Sequence, residues 1–377
     1  MNIPDILTGY DVKNLTVGVL GGHSGLDVCH GAKQHGFKTV CVARKGREKT
    51  YDRYFKTRGS RGCIDETIVV ENFSDVLDTK IQKKLQSLNT IFVHNRYFWV
   101  YFDDFSKVEN DFHVPILGSR TLLKLEERDQ PFNQYDLLKK AGIRTPKIFA
   151  SAKDIDRPVL VKAGEARRSY ERAFFIATTP LNYEETGAML EAQGKVNKKW
   201  RDATIEEFIV GAPVNFNFFY SPLTGELELL GTDTRRQTNL DGFLRMTADQ
   251  QAIALKHVPL KMIETGHIAC TVKESILEKA FDLGEKFVTA CKNLPKTLDP
   301  SAKGIIGPFA LQGAVVAEEG KEDIVIFDVS LRIPGSPGTA STPYSGYLYG
   351  QSMSVGERVG LEIRNAVEQK RLLEIIT

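Results

Sequence analysis

The segment LTVGVLGGHSGLDVCHGAKQHGFKTVCVA (residues 15–43) holds two apolar runs, separated by a glycine-rich turn and an amphipathic stretch. The runs LTVGVL and KTVCVA are apolar at nearly every position, which predicts parallel strands buried on both faces. The stretch between them, from about Leu26 to His35, predicts a helix. Strand, helix and strand in this order begin an open parallel sheet, so we predict the α/β class, with a Rossmann-like domain over residues 1–124.

Two further domains are predicted from the strands that follow. The run VLVK (159–162) indicates a smaller domain over residues 125–203. The region 204–377 is richer in strands and includes PFALQGAVVA (308–317) and DIVIFDVS (323–330). A length of 377 residues agrees with several domains, since one hydrophobic core rarely serves more than about 250–300 residues.

Three helix starts are predicted from capping residues. Ser74 is placed to cap a helix that runs through Ile81 to Leu88. The patterns Thr271-x-x-Glu274 and Ser354-x-x-Glu357 are capping boxes, which predict the N-termini of two helices in the third domain.

The composition is that of a soluble globular enzyme, with 42% hydrophobic and 26% charged residues. The formal charge is only +2, which gives no indication of a nucleic-acid partner or of binding to a membrane surface. No stretch approaches the ~18 apolar residues of a membrane span, and the acidic N-terminus is not typical of a signal peptide. The five cysteines are scattered and never spaced as CxxC, which favours reduced thiols in the cytoplasm over a zinc site.

Asp328 is a carboxylate in a strand that is otherwise apolar on both faces. A buried carboxylate is costly unless it is paired, and a divalent cation is one suitable partner. If this strand pairs antiparallel with the preceding one, Gln312 and Asp328 face the same side, because side chains repeat every two residues. Ser330 and Arg332 then follow on that side. Such a set suits Mg²⁺ and a phosphate chain, and a core aspartate satisfied by backbone donors or an arginine is the alternative.

Two segments suit a nucleotide. Lys162 ends a predicted strand beside a loop, a common position for a lysine that binds phosphates, with an ordinary solvated lysine as the alternative. IEEFIVG (205–211) suits a hinge that binds adenine through its backbone, with Glu206 or Glu207 on the ribose. The alternative there is a plain strand with a solvated acidic end.

The turn GGHSG (21–25) lies between a strand and a helix, where glycines let backbone amides approach a phosphate. It is not GxGxxG, and Arg44 follows the second strand in place of an acid, so a dinucleotide site is disfavoured. A monophosphate site with His23, Ser24 and Arg44 is the more natural interpretation. A histidine that only caps or packs is the alternative.

In this order along the chain, the motifs resemble the archaeal PurP family of ATP-grasp ligases. The resemblance rests on GGHSG, HVPILGSR, VLVK, IEEFIVG, TNLDGFLR, GPFALQ, FDVSLR and PYSGYLYGQSMSVGERV. It implies an ATP-grasp fold with an N-terminal Rossmann-like (preATP-grasp) domain, followed by a small lid domain and a C-terminal ATP-grasp domain. It also implies a ligase that uses ATP and formate to formylate 5-aminoimidazole-4-carboxamide ribonucleotide through formyl phosphate, in de novo purine biosynthesis.

The resemblance also implies the roles of individual residues. Ribotide contacts fall on His23, Ser24, His94, Arg120, Asn239 and Asp241. ATP contacts fall on Lys162 and on the hinge residues Glu206, Glu207, Phe208 and Ile209. Metal positions fall on Gln312 and Asp328, the latter where the family usually has glutamate, and the catalytic cations are Lys162 and Arg332. The implied cofactors are ATP and Mg²⁺ or Mn²⁺, and the implied enzyme is a cytoplasmic homo-oligomer with small-molecule substrates.

Two segments depart from the family pattern. The loop after Lys162, which is glycine-rich in the family, here contains a single glycine, Gly164, and three arginines at 167, 168 and 172. We expect at least one of these arginines to point inward to a phosphate or an acidic substrate. The small residues that the family has after His94 are replaced by Asn95-Arg96-Tyr97. Two alternatives follow: an ATP-grasp ligase for another small carboxylate and amine, or a paralogue that binds nucleotide or ribotide without catalysis.

Overall fold

The computed structural model describes residues 3–102, 104–128, 130–163, 174–258, 260–318 and 320–377 of the chain. Its strands are β1 (Thr16–Leu20), β2 (Lys38–Arg44), β3 (Glu66–Val70), β4 (Thr90–Val93), β5 (Ile116–Leu117), β6 (Ile148–Phe149), β7 (Val159–Lys162), β8 (Phe174–Ala177), β9 (Thr204–Glu207), β10 (Ala212–Tyr220), β11 (Leu227–Asn239), β12 (Met262–Cys270), β13 (Gly307–Glu318) and β14 (Lys321–Ser330). Its α-helices are α1 (Ile3–Leu7), α2 (Gly25–Gln34), α3 (Thr79–Ser87), α4 (Tyr97–Val100), α5 (Phe105–Asn110), α6 (Gln134–Lys140), α7 (Pro180–Ala192), α8 (Leu240–Phe243), α9 (Ala248–Ala254), α10 (Glu274–Lys292), α11 (Tyr344–Tyr349), α12 (Val355–Glu368) and α13 (Leu372–Ile375).

The N-terminal sheet is parallel, with the strand order β3-β2-β1-β4-β5. Every residue of β1 is buried, as expected for a central strand that is covered on both faces. The helix α2 connects β1 to β2 and buries Val28, Cys29 and Ala32. The prediction of an α/β fold that begins with a Rossmann-like sheet is confirmed.

Two further sheets follow along the chain. The smaller has the order β6-β9-β7-β8, and the larger, antiparallel sheet has the order β12-β11-β10-β13-β14. The strand β9 pairs with β6 and β7, so it lies in the small sheet although the sequence placed it at the start of the third domain. The division of the chain into three domains at residues 124 and 203 stays a prediction.

The antiparallel pairing on which the interpretation of Gln312 and Asp328 depends is present in the structure. β13 and β14 are antiparallel, and Gln312 lies directly opposite Asp328, next to an irregularity in the register. Across β10, Asn215 pairs with Gln312 on one side and with Asp233 on the other. Four polar residues therefore form one row across β11, β10, β13 and β14.

The C-terminal part of the chain returns to the first sheet. α12 packs against α2 at three glycines, since a Cβ on Gly31 would lie 2.2 Å from the carbonyl carbon of Gly356, and a Cβ on Gly360 would lie 2.6 Å from the carbonyl oxygen of Gly31. Beyond α13, Thr377 exchanges two backbone hydrogen bonds with Ile116 of β5. The last residues of the chain thus extend the N-terminal sheet.

Two of the predicted helix starts are wrong. α3 begins after Asp78, and Ser74 lies in a separate 3₁₀ turn. α10 begins at Glu274 after Lys273, so Thr271 does not cap it. Ser354 does cap α12, because its hydroxyl accepts a hydrogen bond from the N–H of Glu357.

The described helices include none that is both long and apolar enough to cross a membrane. The five cysteines are unpaired, and four of them are buried.

Candidate active site

The polar row on the large sheet is the base of the candidate site. Both amides of β10 donate to the fully buried Asp233: the Nδ2 of Asn215 lies 2.8 Å from Oδ1, and that of Asn217 lies 2.6 Å from Oδ2. On β13, the Nε2 of Gln312 donates to the hydroxyl of Ser330 at 2.9 Å. The alternation of side chains along each strand places these groups on one face of the sheet.

Two arginines bind the predicted metal residues. A guanidinium nitrogen of Arg128 lies 3.0 Å from Oδ1 of Asp328, and one of Arg235 lies 3.9 Å from Oδ2. The same nitrogen of Arg235 donates to the side-chain oxygen of Gln312. Asp328 is thus paired with arginine, as the alternative interpretation of this residue expected. The pairing also places the guanidinium groups of Arg128 and Arg235 beside the two residues predicted to bind the metal, where they could also contact a phosphate chain.

The donor set at Gln312 and Asp328 fits Mg²⁺ only if the ion is shared with phosphates. Among the described residues, no three His, Cys, Asp or Glu side chains are grouped as a metal cage would require. Mg²⁺ commonly binds through one or two carboxylates together with substrate phosphates and water. One carboxylate beside one amide oxygen matches that mode of binding.

Lys162 is buried and paired with Glu206. Its ammonium lies 2.7 Å from Oε1 of Glu206, and the two side chains are only 4% and 3% exposed. Burial lowers the pKa of Lys162 and raises that of Glu206. Lys162 is therefore not the solvated lysine of the alternative interpretation, and Glu206 faces this lysine.

Tyr135, at the start of α6, connects this pair to the metal residues. Its hydroxyl donates to Oε2 of Glu206 at 3.0 Å and accepts from Lys162 at 3.2 Å and from Nε of Arg128 at 3.0 Å. Arg128 in turn donates to Asp328. Sequence reasoning missed Tyr135 and Arg128, because a tyrosine in a short helix and a lone arginine before it form no motif.

The hinge residues beyond Glu206 have the mixed exposure of a strand end. The side chain of Glu207 points away from Lys162 and meets Arg157 at 3.3 Å. The N–H groups of Glu207 and Phe208 donate to the carbonyls of Lys147 and Pro158. Because these two N–H groups already have partners, an adenine ring at the hinge would have to bind backbone groups nearer to Ile209.

A small cavity of about 20 Å³ adjoins the polar row on the large sheet. The predicted residues His23, Gln312, Ser330 and Arg332 line it, together with Arg96 from the segment that departs from the family pattern. The other side chains of the lining were not assigned an individual role from the sequence; they are Asn215, Asn217, Asp233, Arg235, Glu264, His267 and Ser336. Among the described residues, buried atoms without a hydrogen-bond partner include His23 Nδ1, Asn217 Oδ1, Arg235 Nε, Arg332 Nε and Ser336 Oγ, all of which line this cavity. Unsatisfied buried polar groups are rare in folded proteins, and such a concentration marks a polar ligand site.

His23 and Arg332 form one wall of the cavity. His23 has a positive φ of 49°, and its ring packs on Gly335, where a Cβ would lie 2.3 Å from the ring. Burial, followed by the nearby charge of Arg332, holds the pKa of His23 well below its usual range. Arg332 is itself buried, its Nε lies 3.7 Å from Oε2 of Glu126, and burial lowers the pKa of its guanidinium. A neutral imidazole and a weakly paired guanidinium thus face the cavity together.

Three residues expected at the ribotide do not line the cavity. Ser24 is buried and donates its hydroxyl to the carbonyl of Pro334. Arg120 donates to the backbone carbonyls of Val108, Phe112, Val114 and Thr377, and burial lowers its pKa to about 10. His94 is buried, and burial lowers its pKa to about 3. These hydrogen bonds give Ser24 and Arg120 the internal partners that polar groups in the core need, and the roles of the three residues at the ribotide stay predictions.

Asn239 and Asp241 form a turn that leaves β11. Asn239 has a φ of 42°, and its side-chain oxygen accepts from the N–H of Lys261 at 2.6 Å. Asp241 accepts from the N–H of Gln237 at 2.5 Å. Both also lie outside the lining of the cavity, and their roles at the ribotide stay predictions.

Asn95 and Tyr97, which replace the small residues of the family after His94, support the glycine-rich turn after β1. Asn95 donates to the carbonyls of Leu20 and Gly22 at 2.9 and 3.3 Å, and the ring of Tyr97 covers Gly22. Arg96 lines the cavity beside His23. The other departure, with Gly164, Arg167, Arg168 and Arg172, lies outside the described residues, and the expectation that an arginine points inward stays a prediction.

Family models match most of the chain. One described as "Protein of unknown function (DUF1246)" matches residues 17–149, and one described as "Domain of unknown function (DUF1297)" matches residues 182–377.

Curated relatives match over the full length. The chain is 40% identical to 5-formaminoimidazole-4-carboxamide-1-(beta)-D-ribofuranosyl 5'-monophosphate synthetase of Methanothermobacter thermautotrophicus, over 100% of this chain and 98% of the relative. The synthetases of the same name from Methanocaldococcus jannaschii and Methanopyrus kandleri are 36% and 35% identical, with the same coverage.

Solved structures agree with these relatives. The IMP biosynthesis protein PurP of Thermococcus kodakaraensis superposes with a TM-score of 0.67 at 26% identity, over 96% of this chain and 100% of that one. An ADP complex of the N5-carboxyaminoimidazole ribonucleotide synthetase purK superposes with a TM-score of 0.56 at 12% identity, over 90% of this chain and 78% of that one. The second likeness shows the fold alone, which is that of the ATP-grasp ligases.

Proposed function

The chain belongs to the family of 5-formaminoimidazole-4-carboxamide ribonucleotide synthetases, and from this we propose that it formylates the amine of 5-aminoimidazole-4-carboxamide ribonucleotide. It is an ATP-dependent ligase with an ATP-grasp fold. In the proposed reaction, formate takes the γ-phosphoryl group of ATP, and the ribotide amine then displaces phosphate from formyl phosphate. The observation that carries the proposal is a cavity in which arginines adjoin the Gln312–Asp328 pair and a neutral histidine.

The phosphate end of the proposed site is built from Lys162, Arg128 and Arg235. Each of these cations lies beside a carboxylate of the protein, namely Glu206 at 2.7 Å, Asp328 at 3.0 Å and Glu264 at 3.4 Å respectively. Guanidinium groups fork onto phosphate oxygens, and a lysine adds a point charge. Together they neutralise the charge that spreads over a transferring phosphoryl group.

Gln312 and Asp328 would hold Mg²⁺ together with the phosphates of ATP. When bound, the ion supplies Lewis-acid stabilisation of the phosphoryl oxygens. The residues on either side keep their own tasks: Arg235 holds the side-chain oxygen of Gln312, and Arg128 holds Asp328. The proposed role of the two arginines is to orient both oxygen donors toward the nucleotide.

The end of the site that binds formate and the ribotide is assigned to the wall formed by His23 and Arg332. We place formate near Arg332, whose buried guanidinium is only weakly paired with Glu126 at 3.7 Å. His23, with its unpartnered Nδ1, is assigned to the ribotide. Arg96 adds a cation that the family pattern lacks, which suits the phosphate or carboxamide side of a ribotide.

The test is an assay with purified protein that follows both ADP and the formylated ribotide. With MgATP, formate and the carboxamide ribotide, one ADP is expected for each formylated product. Omission of any one substrate should abolish product formation. ADP without product in the presence of another carboxylate or amine would instead support a ligase of different substrate. Binding of ATP and ribotide with no ADP would support a paralogue that has lost catalysis.

We also propose that the enzyme acts in the cytoplasm as a homo-oligomer. Unpaired, mostly buried thiols support the first point. The segment between β11 and β12 that contains α8 and α9 supports the homo-oligomer, because it exposes several large apolar side chains. These are Leu244, Ile253, Leu255 and Val258. Light scattering at micromolar concentration measures the mass directly, and a monomer would contradict the proposal.

A further inference from the structure

Asp233 is a buried carboxylate whose position is fixed. It is 0% exposed, and amides of Asn215 and Asn217 each donate to one of its oxygens. Nε2 of His267 lies 3.8 Å from Oδ1 of Asp233 and 3.7 Å from Oε1 of Glu264. These distances are those of a charge contact and are longer than a hydrogen bond, and a carboxylate beside one imidazole nitrogen favours the tautomer with the proton on that nitrogen. The other nitrogen, Nδ1, is then the basic one.

His267 lies on β12 opposite Arg235 and lines the cavity. Its side chain is 10% exposed, so it is accessible from the cavity and otherwise surrounded by protein. Gln312 and His23, which the proposed function assigns to the metal and to the ribotide, line the same cavity. His267 therefore shares this cavity with groups that are assigned to both the nucleotide and the ribotide.

We infer that His267, oriented by Asp233, is the general base that deprotonates the attacking amine. The inference rests on the proposed function. The amine nitrogen forms a bond to the formyl carbon, the carbon–oxygen bond to phosphate breaks, and phosphate leaves with the electron pair. One N–H proton passes to Nδ1 of His267 and from there to solvent.

The other histidines near the site suit this task less well. His23 faces Arg332 and Arg96, whose charges oppose protonation, and its pKa lies well below the usual range because it is buried. His94 is buried, with a pKa lowered to about 3. Among the described histidines that line the cavity, His267 is the one within 4 Å of carboxylates.

The test compares His267→Gln and His267→Asn with the parent enzyme. General bases contribute about 10²–10⁴-fold, so kcat for product formation is expected to fall by that factor. Ribotide affinity, measured by calorimetry, is expected to stay within about threefold. Formyl phosphate that is not captured hydrolyses, so the ratio of ADP to formylated product should rise above one. His257→Gln, at an exposed histidine just after α9, is the matched control and should behave as the parent enzyme does.

The pH profile separates a base from a structural residue. The parent should lose activity at acidic pH as an imidazole protonates, and the His267 variants should lack that limb. Asp233, Glu264 and Arg235 are next to His267, and the other titratable or charged groups that line the cavity with it are His23, Arg96 and Arg332. Asp233→Asn keeps the shape of the side chain and should lower kcat about tenfold. It also turns one acceptor oxygen into a donor beside Asn215 or Asn217, so thermal unfolding of the same sample measures how much stability that lost hydrogen bond costs.

Three outcomes would overturn the inference. A His267→Gln enzyme with parental kcat and an intact acidic limb would show that the residue is not the base. Weaker ribotide binding at unchanged kcat would make it a binding residue. A parent enzyme that turns over ATP and never yields formylated ribotide would overturn the proposed function, and the formyl-transfer step with it.

Discussion

Asp328 shows how one residue serves two interpretations at once. Its carboxylate is 18% exposed in an apolar strand, and Arg128 and Arg235 both bind it. Those contacts satisfy the charge inside the protein, as a structural aspartate requires. They also place two guanidinium groups beside a carboxylate and an amide oxygen, which is a suitable arrangement for a phosphate and its metal.

Asp328→Asn separates the two interpretations. We expect the variant to stay folded, because the amide keeps the size of the side chain and Tyr135 still accepts from Arg128. Turnover should fall at least about 100-fold, roughly 2.7 kcal/mol, if the charge serves a metal. Steady-state kinetics at several Mg²⁺ concentrations and thermal unfolding of the same samples measure both effects. A variant that is destabilised while its folded fraction keeps full activity would make Asp328 structural.

His94 predicts a dependence of stability on pH. Its folded pKa is about 3, well below the ~6.5 of an unfolded histidine, so the unfolded chain binds the extra proton at intermediate pH. The contribution of His94 to the free energy of unfolding is therefore fully present above about pH 6.5, and it is lost as the pH falls from there toward 3. Between pH 7 and pH 5 the loss from this residue is about 2 kcal/mol.

The measurement is urea unfolding at both pH values for the parent and for His94→Gln. The variant should lose about 2 kcal/mol less between pH 7 and pH 5 than the parent, whatever its stability at neutral pH. His23 shifts in the same direction and is present in both proteins, so it cancels in the comparison. Equal losses in the two proteins would show that His94 titrates normally in the folded state.

At the scale of elements, α6 links the small sheet to the large one. Asn133 caps α6 by accepting from the N–H of Tyr135, which fixes the first turn of the helix. The hydroxyl of Tyr135 then reaches Lys162 on β7, Glu206 on β9 and Arg128. A helix that carries no predicted site residue therefore orients the lysine proposed for the phosphates.

Tyr135→Phe removes this link and leaves the ring in place. We expect the KM for ATP to rise about three- to tenfold, because Lys162 and Arg128 lose a shared acceptor, worth about 0.5–1.5 kcal/mol. The KM for the ribotide should change little. Initial rates against each substrate measure this, with Tyr347→Phe at a 78% exposed tyrosine as the control. An unchanged KM for ATP would show that the Lys162–Glu206 pair needs no support from α6.

At the scale of the whole molecule, the two ends of the chain form one packed unit. The DUF1246 segment contributes α2, and the DUF1297 segment contributes α12, yet their backbones touch at Gly31, Gly356 and Gly360. Arg120 and the backbone of Ile116 bind the terminal Thr377. The cavity between His23 and the large sheet depends on this packing, since its walls come from both segments.

Gly31→Val tests this packing. The new Cβ would lie 2.2 Å from the backbone of Gly356, where no side chain can turn aside, so the helices must separate. We expect a loss of about 3 kcal/mol or more, or insoluble protein. Thermal and urea unfolding report it, and Gly9→Val is the control because a Cβ there meets only one atom at 3.7 Å. Parental stability of Gly31→Val would mean that the two helices pack less closely.

The sequence by itself determined the α/β class and the first parallel sheet, whereas the pairing of β13 with β14 was only a condition of the argument until the structure showed it. The class and the sheet follow from local sequence pattern, because an apolar run such as LTVGVL is typical of a strand that is buried on both faces. The family resemblance supplied the ATP-grasp fold and the proposed substrates, which the relatives confirm for the family.

Only the tertiary structure decided which polar residues share a site. Asn215, Asp233 and His267 lie on different strands, and an antiparallel register brings them to one face. Conversely, Ser24 and Arg120 carry site-like chemistry in the sequence, yet nearby backbone carbonyls bind both. The physical reason is that a polar side chain must find partners wherever folding places it, and those partners come from residues far away in the sequence.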